Sequence, residues 1–338
     1  MDSVPYAFCE DVLERLSKEN LDTMTELSGQ WKTVVQRFIE KRRTFNITIS
    51  KDSEGWFYGV EDATDETKTR KIEIDEHSHE EFLSMDRRYV EINQISIYSD
   101  LDQSDFEELD PDLPLFQCSS ELRCSKEEMA RRVVPFLTLQ MRPYSSLVFS
   151  VGCPWEITVE CHDMFRRCFT FGKLELVCRG AKSEEFLALQ LKNNPFLGDL
   201  TLRCWEHTET TEQLLLTFLN SRKKRALDIF ESLEESLEDE LSLKVTIEIV
   251  KAAVDSWVRG DEKRYLSVSG NIGVTPAEIL SIPMPENVTR REEEGDEEGD
   301  FCVRWTKEDG SNLLCELYFS HDLTVIESSA GRFATPYY

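Results

Sequence analysis

A cluster of cysteine and histidine residues is the first feature of this chain that suggests chemistry. Cys161, His162 and Cys168 lie in one short stretch, and thiolate and imidazole are the ligands that zinc prefers. None of the ten cysteines pairs with another in a Cys-x-x-Cys spacing, and no secretory signal precedes them. We therefore favour reduced thiols that pack as small hydrophobic residues.

Carboxylates are concentrated in residues 100–114, where seven of the fifteen residues are Asp or Glu. Calcium loops also concentrate carboxylates, but they need a glycine at the sharp turn and a terminal glutamate, and this stretch has neither at the required offset. It is typical of a solvated acidic loop. His77 and His79 lie among acidic residues, and we expect them to be solvated too.

Sequence motifs that mark catalytic sites are not found. The chain has no GxGxxG or GxxxxGK[ST] phosphate loop, no GxSxG nucleophile elbow and no HExxH zinc motif. The sequence therefore predicts no catalytic, cofactor-binding or metal site, and it predicts that the protein is not an enzyme.

Length and charge limit the remaining classes. The chain has 338 residues, 40% of them hydrophobic, and a net charge of -27, which favours about two globular domains. Such acidity argues against nucleic acids and anionic membrane surfaces, which require Lys and Arg. We expect no signal peptide and no membrane span, because no apolar run has the necessary length.

Three apolar stripes at helical spacing near the N-terminus predict the first elements that could position functional residues. The three stripes are Phe8, Val12, Leu13 and Leu16; then Leu21, Met24, Leu27 and Trp31; and finally Val34, Val35 and Phe38. The basic cluster 41–43 follows and suits the end of a helix. Forty residues bury little area by themselves, so this segment either packs on the next domain or docks into a partner.

The stretch from Val4-Pro5 to Trp31 resembles an F-box. It shows the Leu-Pro-like start, an apolar helix, a polar-Leu restart at Asn20-Leu21, and then Leu27-Ser28 before the tryptophan, without a gap. It departs from the family pattern at Val4, where Leu is usual, and at Lys18, where Pro is frequent. The chain as a whole is similar to the F-box families that are expanded in nematodes.

This resemblance implies binding to a Skp-type adaptor of a cullin-RING ubiquitin ligase, through apolar anchors with a polar rim. The residues it suggests for contact or support are Pro5, Phe8, Val12, Leu16, Leu21 and Leu27. We expect Trp31 to belong to the core of the helices.

A change of period after the helices predicts strands. Phe45, Ile47 and Ile49 alternate with polar residues, and the segment 44–60 is typical of a β-hairpin with its turn near Asp52–Gly55. We expect the aromatic residues 56–58 to pack in the core.

An internal repeat occupies the middle of the chain. Apolar pairs recur at intervals of 27, 26 and 27 residues, with helix-like segments between them: Leu147 and Phe149, Leu174 and Leu176, Leu200 and Leu202, and Leu227 and Ile229. The period lies within that of leucine-rich repeats, whose units must stack to bury their apolar faces. A βαβαβ domain with a parallel sheet is the alternative.

Further units at both ends extend the repeat. An earlier one is predicted at Ile95 and Ile97, and a fifth at Leu266 and Val268, after the acidic stretch 231–240. Residues 291–300 contain seven acidic residues and predict a mobile linker. A hairpin around Asp309-Gly310 and a flexible tail follow.

Together these patterns predict an α/β protein in four segments. They are an F-box-like segment of three helices (1–43), a β-hairpin with an acidic connection (44–118), a leucine-rich-repeat-like β-α solenoid (119–285), and an acidic linker with a hairpin and tail (286–338).

The function favoured by these patterns is substrate recognition for a ubiquitin ligase, acting in the cytoplasm or nucleus on an unknown protein target. A scaffold whose N-terminal helices only cap the repeats is the alternative, and an uncharacterised enzyme is the third hypothesis.

Overall fold

The computed structural model describes residues 4–14, 16, 18–64, 70–71, 76–98, 122–151, 153–221, 225–230, 242–260, 266–294, 300–317 and 322–328. The chain forms two compact units, Met1–Phe171 and Gly172–Tyr338. We call them the N-terminal and the C-terminal unit. The division falls inside the predicted segment 119–285, and the four-segment division itself stays a prediction.

The N-terminal unit begins with helices. Their bounds are α1 (Tyr6–Leu13), α2 (Lys18–Thr23), a 3-10 turn (Met24–Glu26) and α3 (Gly29–Lys41). Pro5 precedes α1 in an extended conformation, and its carbonyl accepts hydrogen bonds from the backbone N–H groups of Phe8 and Cys9. Helix α3 ends at the basic cluster, as the sequence predicts, because Arg42 adopts an extended conformation.

Strands β1 (Arg43–Asp52) and β2 (Gly55–Asp62) form the predicted hairpin. The Asp52 carboxylate accepts the backbone N–H groups of Glu54 and Gly55, which closes the turn. Gly55 adopts a φ of 136°, a value that favours glycine. The three aromatic residues at the start of β2, Trp56, Phe57 and Tyr58, are buried, and this confirms that they belong to the core.

The other strands of this unit are β3 (Arg70–Lys71), β4 (Val90–Ile97), β5 (Leu122–Cys124) and β6 (Met141–Phe149). Strands β6, β4 and β1 are parallel neighbours, whereas β2, β3 and β5 add antiparallel pairs. The helices are α4 (Glu76–Ser84), α5 (Lys126–Glu128), a π-helical turn (Met129–Val133), α6 (Val134–Gln140) and α7 (Trp155–Phe165), with a 3-10 turn at Arg87–Tyr89.

Apolar pairs align across the parallel strands of the N-terminal unit. Ile95 of β4 is the register partner of Ile47 on one side and of Leu147 on the other. All three are buried, so the predicted earlier pair at Ile95 and Ile97 lies in register with the pair at Leu147 and Phe149. A bulge interrupts the register between Ile92 and Gln94.

The C-terminal unit holds strands β7 (Lys173–Val177), β8 (Asp199–Arg203), β9 (Arg225–Phe230), β10 (Leu266–Asn271), β11 (Val288–Glu294), β12 (Phe301–Lys307), β13 (Asn312–Leu317) and β14 (Asp322–Ser328). Strands β7 to β10 are parallel and adjacent in chain order. Strands β14, β13, β12 and β11 continue the sheet from β10 as antiparallel neighbours.

Helices connect the parallel strands of this unit. They are α8 (Ala181–Asn193), α9 (Glu209–Asn220) and α10 (Ile247–Arg259), and the short α11 (Pro276–Leu280) follows β10. Strand and helix therefore alternate as the repeat pattern predicts. With parallel and antiparallel pairs in its sheets, the protein is an α/β protein with mixed sheet topology.

The repeated leucines form a ladder across β7, β8 and β9. Leu174 pairs with Leu200, which pairs with Leu227, and each has no solvent exposure. The prediction for the fifth pair is wrong by two residues. Leu227 pairs with Val268, and Ile229 pairs with Gly270, so the pair in register is Val268 and Gly270 rather than Leu266 and Val268.

The same kind of side-chain hydrogen bond recurs between successive helices of this unit. Thr208, which caps α9, donates to the carboxylate of Glu184 in α8 at 2.9 Å. Thr246, which caps α10, donates to the carboxylate of Glu212 in α9 at 2.7 Å. Each capping threonine thus joins its own helix to the first turn of the preceding one.

The charged segment near the C-terminus corrects a second prediction. The first residues of the expected linker 291–300 belong to β11, because residues 288–294 pair along their length with β12. Most side chains of β11 are exposed, and charged exposed side chains are common on edge strands. Strands β12 and β13 form the predicted hairpin, with Gly310 in its turn at a φ of 82°.

Several predictions lie outside the described residues. They concern the acidic run 100–114, the acidic stretch 231–240, the side chains of His77 and His79, and the tail 331–338. Within the described part of the chain, no helix combines the length and the apolarity that crossing a bilayer requires.

Candidate partner-binding site

A hydrophobic cluster joins the N-terminal helices. Its buried members are Cys9, Leu13, Leu21, Val34, Val35 and Phe38. Several half-buried residues pack around these, and those identified in the described part of the chain lie within residues 4–39, except Tyr89. Residues 4–39 therefore bury much of their apolar surface among themselves, more than their short length suggested.

Phe8 lies on the outer side of this cluster. Its side chain is 53% exposed although it is a large hydrophobic residue. The Phe8 ring meets the half-buried Trp31 ring edge-to-face, with 6.4 Å between the centroids. Such a T-shaped geometry is favourable for aromatic pairs. Pro5 is exposed one helical turn before Phe8, so a proline and two aromatic rings share one surface.

The six residues suggested by the resemblance divide into three groups. Pro5 and Phe8 are exposed, Val12, Leu16 and Leu27 are half-buried, and Leu21 is fully buried in the cluster. Leu21 can therefore support a partner-binding surface but cannot reach a partner directly. Trp31, which we expected in the core, is half-buried: it packs against the cluster, and its ring also meets that of Phe8.

Charged side chains join α1 to α3 and to the turn before β4. The Glu10 carboxylate in α1 accepts from Arg37 of α3 at 3.5 Å and from Arg88 at 3.2 Å. The Arg37 guanidinium also lies 5.6 Å from the centroid of the Tyr6 ring. Exposed apolar rings and charged side chains therefore both occur on these helices, and protein–protein interfaces combine the same two kinds of residue.

The Arg42 side chain caps the C-terminal end of α1. It is buried and donates to the carbonyl oxygens of Leu13, Glu14 and Leu16. A cation at a helix C-terminus satisfies carbonyls that have no partner within the helix. Arg42 also lies 3.6 Å from the buried Glu91 carboxylate at the start of β4. Burial lowers the pKa of Arg42, and the Glu91 carboxylate partly offsets this effect.

Two residues of β6 extend this charged cluster to the surface. Arg142 lies 3.7 Å from the Glu14 carboxylate. Tyr144 is partly exposed, and burial together with the nearby Glu91 carboxylate raises the pKa of its hydroxyl. The basic cluster 41–43 correctly indicates the end of α3, but no sequence signal indicates that Arg42 caps a different helix.

The cysteine and histidine residues behave as packing residues. Cys161, His162 and Cys168 are all buried, and burial lowers the pKa of His162 to about 4. Burial also raises the pKa of the Cys161 and Cys168 thiols, which disfavours the thiolates that bind metal. In the described ranges of the chain, no three His, Cys, Asp or Glu side chains form a group that could hold a metal ion.

Comparison with protein-family models, with curated proteins and with solved structures finds no match to this chain.

Proposed function

We propose that the protein is a binding subunit that docks a Skp-type adaptor through its N-terminal helices. In this proposal the helices form an F-box-like segment, and the protein acts in the cytoplasm or nucleus by binding rather than by catalysis. The observation that carries the proposal is the exposed Phe8 beside Trp31 and Pro5, supported by the buried cluster below them. Exposed aromatic anchors on a rigid support are typical of interface hot spots.

The remainder of the proposal concerns the β-α repeats. We infer that β7 to β10 with their helices are leucine-rich-repeat-like units of a solenoid. The Leu174–Leu200–Leu227 ladder and the Thr208–Glu184 hydrogen bond, repeated at Thr246, support equivalent units. A target protein bound by this unit would be held near a ligase bound by the N-terminal helices, which raises its local concentration there.

Affinity for a purified Skp-type adaptor tests the docking proposal. Phe8→Asp places a charge in the centre of the surface, and we expect it to weaken binding at least tenfold. Leu16 is a poorer choice because it packs on the buried cluster. Phe196→Asp is the matched control, since Phe196 is also an exposed phenylalanine and lies in the C-terminal unit. The docking proposal is wrong if the wild type and Phe8→Asp bind equally.

Contacts between α1 and the sheet of the same unit favour the second candidate, a scaffold whose helices only cap that unit. Arg88 next to β4 pairs with Glu10, and Arg42 joins the end of α1 to Glu91. In this case the helices stabilise the unit and bind no adaptor. Failure of the wild-type protein to bind the adaptor, together with unfolding of the N-terminal unit when residues 1–41 are deleted, would favour the scaffold.

A further inference from the structure

The C-terminal unit has a second surface on the side of its sheet opposite the leucine ladder. Because side chains alternate along a strand, the residues next to the ladder positions point to that other side. Glu175, Arg203 and Phe230 belong to this set, and they come from the successive strands β7, β8 and β9. Arg203 and Phe230 are direct register partners at the carboxyl ends of their strands.

Arg203 is fixed in place by two contacts. Its Nε donates to the Glu175 carboxylate at 2.5 Å, and its guanidinium carbon lies 5.0 Å from the centroid of the Phe230 ring. A guanidinium over an aromatic ring is a favourable cation–π arrangement. These contacts reduce the entropy that the long side chain would lose on binding, so the arginine is preorganised.

The outer end of the arginine makes no hydrogen bond to the described residues. Within the described residues, the two terminal nitrogens of Arg203 have no hydrogen-bond partner, and its side chain is 35% exposed. The Phe230 ring beside it is 42% exposed. The Phe230 ring and the two terminal nitrogens of Arg203 therefore lie side by side on the sheet surface.

Backbone strain occurs at the same place. Cys204, which follows Arg203, has a φ of 56°, and it is the one non-glycine residue with positive φ in the described part of the chain. Its backbone N–H donates to the Phe230 carbonyl at 3.1 Å. Strained residues persist where the surrounding structure enforces them, and they cluster at functional sites.

We propose that Arg203 and Phe230 form a docking site for a protein segment that presents a carboxylate next to an apolar side chain. The carboxylate accepts two parallel hydrogen bonds from the terminal nitrogens of Arg203, the geometry for which a guanidinium is best suited. The apolar neighbour covers the exposed Phe230 ring. Glu175 binds the Nε side of the guanidinium and so fixes the direction in which the two terminal nitrogens point.

The charge of the site favours this partner over a basic one. A basic segment would have to approach the guanidinium, and the nearest carboxylate, Glu175, is already engaged with Arg203. The net charge of -27 for the whole chain weakens the attraction of an acidic segment at low salt. Screening reduces that distant repulsion at physiological ionic strength, whereas a direct contact is screened much less. This site does not depend on adaptor binding by the N-terminal helices.

Selection from a display library of random peptides on the full chain tests the site. A counter-selection on the Arg203→Gln/Phe230→Ser variant removes peptides that bind elsewhere. We expect the enriched peptides to share an Asp or Glu beside an apolar residue. The selected peptide is then synthesised with its carboxylate and with the matching amide, and the affinity of both is measured by calorimetry.

A double-mutant cycle gives the decisive result. The change from carboxylate to amide should weaken binding to the wild type about tenfold and should have little effect on Arg203→Gln. Phe230→Ser should weaken both peptides, whereas the control Phe196→Ser should weaken neither. Enrichment of basic peptides, enrichment of none, or equal loss from the amide in wild type and Arg203→Gln would overturn the proposal.

Discussion

The Nη2 atom of Arg42 lies 2.9 Å from the carbonyl oxygen of Leu13, so the residue that follows α3 also closes the last turn of α1. Because Arg42 is buried and faces the buried Glu91, this contact joins the helices to β4 within the N-terminal unit. The position of the exposed Phe8 depends on this contact, because α1 carries both Phe8 and Leu13.

Replacing Arg42 should therefore destabilise the N-terminal unit strongly. Arg42→Met removes the side-chain donor of three carbonyls, of which only that of Leu13 is known to keep a backbone donor, and it leaves the Glu91 carboxylate buried without its counter-charge. Removing one partner of a buried ion pair costs about 3 kcal/mol or more. The measurement is the free energy of unfolding in urea.

Arg37→Met is the control for this substitution, because Arg37 makes an exposed ion pair with Glu10. Exposed pairs contribute less than about 1 kcal/mol. The double variant Arg42→Met/Glu91→Met should recover part of the loss. A similar cost for Arg42→Met and Arg37→Met would show that the buried contact contributes little.

Gly270→Ala should destabilise the C-terminal unit where the leucine ladder meets β14. Gly270 has a φ of 148°, and an added Cβ would lie 2.6 Å from the Ile229 carbonyl oxygen. Both the conformation and the contact are unfavourable for alanine. We expect their combined effect to lower the free energy of unfolding by about 3 kcal/mol. Thermal and urea unfolding measure this loss.

Gly310→Ala is the control that separates the cost of the backbone conformation from the cost of the close contact. Gly310 also has a positive φ, but an added Cβ there would meet no atom within 4 Å. Only the conformational cost remains, about 1 kcal/mol. If both alanine variants lose the same amount, the close approach to Ile229 does not determine the need for glycine.

Acidic pH should destabilise the protein through His162. Burial lowers the folded-state pKa of His162 to about 4, from the ordinary histidine value of 6.5. The unfolded chain therefore binds the proton first as the pH falls, so the protein loses stability between about pH 6.5 and pH 4 and regains it on return to neutrality. The loss is on the order of 3 kcal/mol.

Urea unfolding at pH 7 and pH 4.5 measures this dependence. His162→Phe keeps an aromatic ring beside Phe149 and should be less sensitive to this change of pH than the wild type. His207→Gln, at an exposed position, is the control and should retain the wild-type dependence. An unchanged pH dependence in His162→Phe would exclude His162 as its source.

The capping threonines should contribute to the stability of the repeats. Thr246→Ala removes an acceptor for the Ile249 backbone N–H and the hydrogen bond to Glu212. Loss of such a cap costs about 1 kcal/mol. Thr217 is an exposed threonine within α9 whose hydroxyl donates to the Gln213 carbonyl, and Thr217→Ala should be neutral or slightly stabilising. Equal effects of the two changes on the unfolding midpoint would argue against a role for the cap.

The sequence predicts the elements of this fold better than it predicts their registers and surfaces. Alternating Phe45, Ile47 and Ile49 suffice for the hairpin, and the repeated leucines suffice for the ladder. The fifth pair is misplaced because Gly270, which occupies a ladder position, has no hydrophobic side chain to reveal it. The strand β11 is missed because charged residues on an exposed edge have the same composition as a linker.

The candidate surfaces are harder to predict for a related reason. Leu21 and Phe8 fit the same apolar pattern, yet one is buried and the other exposed, and this depends on how the helices pack. Arg203 and Phe230 are distant in sequence and become neighbours only through the register of β8 and β9. A large apolar residue at an outward-facing strand position, as at Phe230, is the one signal that could have indicated the site.

The leucine ladder shows where the length of this chain is free to vary. Leu200 and Leu227 are 27 residues apart, whereas Leu227 and Val268 are 41 apart, and both pairs are in register. The extra residues are accommodated between strands, because one residue added within a strand would turn every following side chain to the opposite face. Related chains should therefore differ in length between β9 and β10, and a reporter peptide inserted in that connection should leave the ladder intact.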